Sequence, residues 1–115
     1  MNKKELTIRK NIISTALELE KKNLNQGKAG NISVRWNGGI LITPSGMDYH
    51  KLKPADIVFI DNKGKSHGKR KPSVETPFHY DILKYKKEID TVIHTHAPYS
   101  TGLSILGKPI PCYHY

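Results

Sequence analysis

The sequence of 115 residues contains one cysteine and no apolar run of about 18 residues. A lone cysteine, Cys112, cannot form a disulfide within the chain, and a helix that spans a bilayer needs such a run. The amino terminus is charged, and residues 6–20 are interrupted by polar side chains, so the apolar core of a signal peptide is missing. These absences predict a cytoplasmic protein in a reducing compartment.

Acidic residues are also scarce, since 19 lysines and arginines stand against 10 aspartates and glutamates, for a formal charge of +9. This balance suits nucleic acid, an acidic membrane surface or a phosphorylated small molecule. The densest basic run, 63–71, has no aromatic residues on which bases could stack, and neither common nucleotide-binding glycine pattern occurs. We therefore expect a small phosphorylated ligand, with no nucleic-acid or membrane partner. A basic nucleic-acid binder is the alternative, and it predicts an affinity that falls steeply with salt.

Hydrophobic periodicity predicts a mixture of helices and strands. Residues 5–23 have an amphipathic helical pattern, and strands at 32–36 and 40–43 flank a hairpin turn at Asn37-Gly38-Gly39. The further expected elements are a strand at 57–60, a basic loop, a helix from Ser73 to about Lys87, a strand at 91–96, a helix at 99–106 and an extended stretch at 110–115. Because the first two strands form a hairpin, the pattern favours an α/β fold with a mainly antiparallel sheet flanked by helices.

Two histidines, His94 and His96, lie two residues apart in the predicted strand 91–96. Side chains two positions apart project from the same face of a strand, so both imidazoles can reach one ion. Zn²⁺ in catalytic sites commonly takes three protein ligands and keeps one position open. A rigid strand favours such a site. The alternative is a polar strand face with two histidines and no metal.

Three segments of the sequence predict an anion site. Ser73 stands near a predicted helix start, where its hydroxyl and free N–H groups can bind an anion. The turns at Gly30-Asn31 and Ser45-Gly46 offer further N–H groups, so the three segments predict a phosphate cradle if they converge. Glu75 lies at the same helix start. Its carboxylate can act as a general base or a metal ligand. The alternative is that it only stabilises the helix dipole.

Four stretches of the sequence resemble the class II aldolase/adducin family: residues 25–35, 41–46, 71–75 and 92–97. They occur in the order and at the spacing of that family, and the match runs from about residue 6 to the end of the chain. The resemblance implies an α+β three-layer sandwich around a mainly antiparallel sheet, assembled as a homo-oligomer, usually a tetramer. Because the chain ends inside an apparent strand, we expect residues 1–115 to be the amino-terminal portion of a single domain of this type.

The resemblance also implies roles for individual residues. His94 and His96 match two ligands of a Zn²⁺ ion, one per subunit, and Glu75 matches a carboxylate that ligates the ion and acts as acid–base catalyst. Tyr115 matches a tyrosine that assists proton transfer to the aldehyde. The residues that match the substrate phosphate site are Gly30, Asn31, Ser45, Gly46, Ser73 and Val74. Val74 replaces a serine and Lys28 a threonine, and the family's third zinc-binding histidine falls beyond residue 115.

The activity implied by the resemblance is that of a zinc-dependent class II aldolase. Such an aldehyde-lyase cleaves a ketose 1-phosphate to dihydroxyacetone phosphate and an aldehyde. One alternative is a sugar-phosphate dehydratase or epimerase on the same scaffold, although the epimerase typically carries aspartate where this chain has Glu75. The other is a non-catalytic adducin-like interaction domain. Four retained residues argue against that domain: Glu75, His94, His96 and Tyr115. The missing third histidine argues for it and against activity of this chain alone.

Overall fold

A computed structural model describes residues 1–112 of the protein. The helices are α1 (Lys3–Lys21), α2 (Thr76–Tyr85) and α3 (Pro98–Leu106). The strands are β1 (Asn31–Trp36), β2 (Gly39–Ile42), β3 (Val58–Ile60), β4 (Ser66–His67) and β5 (Thr91–His94), and short 3-10 turns lie at Tyr49–Lys51 and Pro54–Asp56. Within residues 1–112, no helix combines the length and the apolar character needed to cross a membrane.

The strands form one antiparallel sheet in the order β4-β3-β2-β1-β5. The β1–β2 hairpin turns at Asn37 and Gly38, whose φ angles of 46° and 76° are the positive values that a tight hairpin turn requires. The predicted mainly antiparallel sheet is therefore confirmed.

Strand β4 lies in the segment that the sequence predicts as a basic loop. The Asp61 carboxylate accepts the N–H groups of Lys63 and Lys65 and so closes a turn after β3. That turn returns Ser66 and His67 to the edge of the sheet. Both residues are exposed, so β4 shows none of the alternation between apolar and polar residues from which a strand is predicted.

The sheet separates two apolar layers. Helix α1 and the two 3-10 turns cover one face, where the buried residues are Ile12, Ala16, Ile32, Leu41, Tyr49, Leu52 and Ile57. Helix α2 covers the other face, where Ile40, Ile42, Val58, Ile60 and Leu83 are buried. Because side chains alternate along a strand, β2 contributes Leu41 to the first layer and Ile42 to the second. The predicted three-layer arrangement is confirmed.

Arg9 joins α1 to the loop that precedes β3. Its side chain is 7% exposed. One guanidinium nitrogen donates to the carbonyl oxygens of Pro54 and Ile57, and the side chain pairs with Glu5 one helical turn earlier. These contacts satisfy a buried charge, which would otherwise destabilise the fold.

Strand β5 ends at His94, so the prediction of a strand through His96 is wrong at its carboxyl end. Asn31 is the first residue of the neighbouring strand and pairs with His94. Gly30, immediately before Asn31, has a φ of +74° and turns the partner chain away from the sheet. Within the described part of the chain, residues 95 and 96 therefore have no strand beside them on that side. His96 follows the strand in a loop that leads to Pro98 and α3.

Candidate active site

Glu75, His94 and His96 converge at the carboxyl end of β5. Each residue can offer one ligand atom, and these atoms all lie within 4.8 Å of one another. His94 Nδ1 lies 2.6 Å from Glu75 Oε2, and the two imidazole centroids are 4.7 Å apart. Two imidazoles and one carboxylate, all partly buried, form a donor set of the kind that Zn²⁺ takes in catalytic sites. The residues present therefore fit a zinc ion.

The position of His96 depends on Asn25, which is 5% exposed. The Asn25 side-chain carbonyl accepts the N–H of His96 at 3.1 Å, and its amide donates to the Ala29 carbonyl at 2.5 Å. One side chain thus holds the glycine-rich loop and the segment after β5 together. Although His96 is outside the strand, these contacts keep its ring beside His94.

Gly30 is the point of closest approach in this region. A Cβ atom at Gly30 would lie 2.3 Å from Asn25 Nδ2 and 2.6 Å from the His94 carbonyl oxygen. The φ of +74° is also one that L-residues with a side chain rarely adopt. The absence of a side chain at Gly30 therefore permits the packing of the loop against the end of β5.

We expect Gly30→Ala to lower the free energy of unfolding by about 2–4 kcal/mol, because left-handed backbone strain adds to the collision with Asn25. Urea denaturation measures this change, and a Zn²⁺ titration should show weaker binding. Gly27→Ala is the matched control, since Gly27 has a φ of +54° but would place its Cβ in open space. It should lose only about 1–2 kcal/mol. Equal losses in the two variants would contradict the close approach.

Glu75 is the N-cap residue of α2, and Pro77 lies in the first turn as predicted. The Ser73 hydroxyl accepts the N–H of Glu75, two residues further along the chain, at 3.2 Å. The helix itself begins only at Thr76. Burial alone would raise the pKa of the Glu75 carboxyl. Hydrogen bonds from Asn31 and His94 outweigh that effect and hold the pKa below its usual value. Glu75 is therefore ionised at neutral pH and can accept a proton.

The residues predicted to bind phosphate line one cleft beside Glu75 and His96. These residues are Gly30, Asn31, Ser45, Gly46, Ser73 and Val74, and Lys28 lines the same cleft. The loops meet because an antiparallel bridge joins Pro44 to Pro72. The three anion-binding segments thus converge, and their role in phosphate binding stays a prediction.

The contacts of this cleft limit which groups can bind an anion. The Ser45 N–H donates to the Lys71 carbonyl at 3.0 Å, and the Ser73 N–H donates to the Thr43 carbonyl at 3.1 Å. These two N–H groups are therefore engaged, and it is the hydroxyls of the two serines that can donate to a ligand. The Asn31 amide is also engaged, since its Nδ2 donates to Glu75 Oε2 at 2.6 Å. Tyr115, the predicted proton-transfer residue, lies outside the described residues.

His79 is a buried residue of this region to which sequence analysis assigned no role. Its Nε2 lies 2.5 Å from Asn31 Oδ1, and its Nδ1 lies 2.7 Å from Ser33 Oγ. Burial of the imidazole, with a further contribution from the charge of His94, lowers the pKa of His79 to about 4. The residue is therefore neutral at physiological pH. Its spacing of four residues from Glu75 on one helix face was a signal that could have identified it.

Because of His79, we expect the free energy of unfolding to be about 2 kcal/mol lower at pH 5 than at pH 8. A histidine in the unfolded chain takes up a proton near pH 6.5, whereas the pKa of His79 in the fold is about 4. Between these values the unfolded chain binds more protons, so the contribution is complete above about pH 6.5 and is lost as pH falls towards 4. Urea midpoints at the two pH values measure the loss. His79→Gln should reduce it, and an unchanged pH dependence in that variant would contradict the assignment.

Comparison with known sequences adds to this geometry. Residues 10–115 match the family described as Class II Aldolase and Adducin N-terminal domain. Over 110 residues the chain is 50% identical to a 5-methylthioribulose-1-phosphate/5-deoxyribulose-1-phosphate aldolase of Rhodospirillum rubrum, a match that covers 96% of this chain and 50% of that protein. Over 115 residues it is 48% identical to an L-fuculose phosphate aldolase of Haemophilus influenzae, with 100% and 52% covered.

Solved structures show the same similarity. An L-fuculose 1-phosphate aldolase superposes with a TM-score of 0.89 at 35% identity, covering 95% of this chain and 53% of that one. An L-fuculose-1-phosphate aldolase from Thermus thermophilus gives a TM-score of 0.70 at 28% identity, with 88% and 51% covered. The chain therefore spans about half the length of the relatives that it matches.

Proposed function

Because the chain belongs to the class II aldolase and adducin family, we propose that it carries the metal-binding and acid–base residues of an aldolase that cleaves a ketose 1-phosphate. The observation that supports this most strongly is the convergence of Glu75, His94 and His96 at the edge of the cleft that holds the predicted phosphate residues. An acid–base carboxylate, a metal donor set and an anion site are the three parts that such a reaction needs.

Glu75, His94 and His96 would hold Zn²⁺, one ion per chain. A bound Zn²⁺ ion supplies Lewis-acid polarisation of a substrate carbonyl. The two imidazoles come from the end of β5 and the loop after it, whereas the carboxylate comes from the start of α2. The site therefore depends on the docking of α2 against the sheet.

Glu75 would move the proton of the reaction. In the direction of cleavage, its carboxylate accepts the proton of the substrate hydroxyl on the far side of the carbon–carbon bond. When that bond breaks, the electron pair stays on the phosphate-bearing fragment, and Glu75 passes the proton on to the carbon that held the bond, which gives dihydroxyacetone phosphate. The hydroxyl carbon becomes the aldehyde. A well-placed general base contributes about 10²–10⁴-fold to such a step.

The phosphate end of the substrate would lie in the cleft beside this carboxylate. Ser45 and Ser73 present hydroxyls there, and Lys28 brings a positive charge to the same cleft. Fixing the phosphoryl group in this way would orient the reacting carbons towards Glu75. We further propose that the substrate is a ketose 1-phosphate like those named for the relatives, L-fuculose phosphate or a 5-substituted ribulose 1-phosphate.

The alternatives predicted from the sequence differ in their products. A dehydratase would release water, an epimerase would return an isomer, and an adducin-like domain would have no turnover. The relatives named above are aldolases, which favours carbon–carbon bond cleavage among these reactions. A cytoplasmic location and assembly as a homotetramer stay predictions from the sequence.

Zinc content and product analysis together test this proposal. We expect the purified protein, with any residues that follow position 115 included, to retain Zn²⁺ after dialysis and to release dihydroxyacetone phosphate from L-fuculose 1-phosphate or 5-deoxyribulose 1-phosphate. An enzyme-coupled assay detects that product, and NMR detects an epimer or a dehydrated sugar. A protein prepared in this way that takes up no Zn²⁺, or that yields only an epimer or a dehydrated sugar, would refute the aldolase assignment.

A further inference from the structure

A continuous series of buried polar side chains connects the sheet to the candidate metal site. Ser33 in β1 contacts His79 in α2 at 2.7 Å, and His79 contacts Asn31, also in β1, at 2.5 Å. Asn31 then contacts Glu75 Oε2 at 2.6 Å. Ser33 and His79 are 0% exposed. Buried polar groups stabilise a fold only when their hydrogen bonds are all made, so each member of this series depends on the next.

The direction of every hydrogen bond follows from the orientation of the Asn31 amide. Its NH₂ group donates to Glu75 Oε2. The Asn31 carbonyl then faces His79, so His79 Nε2 must carry the proton. A neutral imidazole has one donor and one acceptor nitrogen, so His79 Nδ1 accepts the hydroxyl proton of Ser33. One tautomer of His79 and one rotamer of the Asn31 amide satisfy the whole series.

We propose that His79, acting through Asn31, is a positioning residue that orients the Glu75 carboxylate for metal binding and proton transfer. This inference rests on the proposed function, because it concerns how the acid–base carboxylate of that site is held. Ser33 belongs to the same device, because its hydroxyl selects the tautomer of His79 that can donate to Asn31.

The hydrogen bonds of the Glu75 carboxylate show how this series fixes its orientation. Glu75 Oε2 accepts from both Asn31 and His94, so both bonds hold the same oxygen atom. Neither bond uses Oε1, and Glu75 lines the cleft, so the second oxygen can accept a ligand or a substrate proton. Asn31 pairs directly with His94 across the sheet, so the residue whose amide holds the carboxylate lies beside an imidazole ligand in the neighbouring strand. His79 therefore couples the orientation of Glu75 to the position of His94.

A purely structural role for His79 would not require this arrangement. His79 is enclosed next to an apolar layer of the core that includes Leu83, where an apolar side chain of similar size would pack. Replacing both partners of a buried hydrogen bond by apolar groups of the same shape can be nearly neutral or even stabilising. Unlike an apolar residue, His79 can donate a hydrogen bond from Nε2 to Asn31. The experiment must therefore test this hydrogen bond.

Nuclear magnetic resonance of the ring nitrogens of His79 tests the tautomer without any metal. We expect a long-range ¹H–¹⁵N spectrum of the full chain at pH 7 to show a protonated Nε2 and an unprotonated Nδ1. The His79→Gln spectrum identifies the signal, because it lacks that ring. A protonated Nδ1 would overturn the proposal, since Nε2 could not then donate to Asn31.

Co²⁺ binding, followed by its visible absorption, tests the effect on the site. We expect His79→Leu to weaken Co²⁺ binding by about 10–100-fold, as changes to groups that orient metal ligands do. His79→Gln keeps a side-chain donor and should recover most of that loss. Thr43→Val is the matched control, because Thr43 is equally buried and loses a hydrogen bond to Ile32 without touching the series. It should bind Co²⁺ as the unchanged chain does.

The two measurements separate this inference from the proposed function. If the unchanged chain binds no Co²⁺, the proposed metal site fails, and the tautomer still decides whether the series exists. If it binds Co²⁺ and His79→Leu binds it equally well, the positioning role fails while the metal site stands. If His79→Leu does not fold, His79→Gln and Ser33→Ala take its place. Weaker binding in Ser33→Ala then supports the inference, and unchanged binding in both variants overturns it.

Discussion

Replacing His94 by alanine should weaken Zn²⁺ binding by at least about 10²-fold, since loss of a direct ligand exceeds the 10–100-fold effect of losing an outer contact. His94 contributes an imidazole to the candidate site and contacts Glu75 at 2.6 Å, so its removal also frees the carboxylate on one side. Isothermal titration calorimetry with Zn²⁺ measures the loss. His96→Ala should have a comparable effect.

His50→Ala is the control for this prediction. His50 is exposed and pairs with Glu20 on the surface, away from the three clustered residues. Its replacement should leave Zn²⁺ affinity unchanged and alter stability by less than about 1 kcal/mol. Tight binding that survives His94→Ala, or that is lost equally in His50→Ala, would show that the ion binds elsewhere on this histidine-containing chain.

The topology of the sheet was predictable because its determinants are local. The hairpin between β1 and β2 follows from Asn37 and Gly38, which take the positive φ angles of the turn. The helices α1 and α2 follow from apolar residues repeated at helical spacing. Each feature depends on neighbours within a few positions, and so it is visible in the sequence alone.

The edges of the sheet were not predictable in the same way. Strand β4 depends on the Asp61 side chain closing a turn, and the end of β5 depends on the backbone of Gly30 in another part of the chain. Neither effect changes the hydrophobic pattern of the strand itself. The extent of these strands therefore follows from tertiary contacts rather than from periodicity.

The residues of the candidate site likewise fall into those that the sequence indicates and those that only tertiary contacts reveal. Glu75, His94 and His96 have functional groups whose chemistry is evident from residue type and spacing. The roles of Asn25 and His79 arise from contacts 71 and 48 residues away in sequence. The spacing of His79 from Glu75 places it on the same helix side, but no local pattern indicates its contact with Asn31. Residues that offer a ligand atom are thus more readily found from sequence than residues that hold those ligands in place.

Glu75→Gln should lower the rate of the proton-transfer step by about 10²–10⁴-fold while Zn²⁺ stays bound. Glutamine has nearly the same shape and can still accept from Asn31 and His94 through its carbonyl oxygen, but it cannot take up a proton near neutral pH. The two imidazoles are unchanged, so Zn²⁺ affinity should fall less than in His94→Ala. This difference separates a catalytic base from a carboxylate that only ligates the ion.

Deuterium exchange into dihydroxyacetone phosphate measures the step directly. In D₂O the unchanged protein with Zn²⁺, including any residues that follow position 115, should exchange a proton on the hydroxymethyl carbon of this compound, because the same carbon is deprotonated in aldol addition. NMR detects the loss of that signal without the aldehyde partner being present. Glu88→Gln removes an exposed carboxylate outside the site and should exchange at the normal rate. Exchange that persists in Glu75→Gln would mean that another group is the base, whereas loss of exchange together with loss of Zn²⁺ would restrict Glu75 to metal binding.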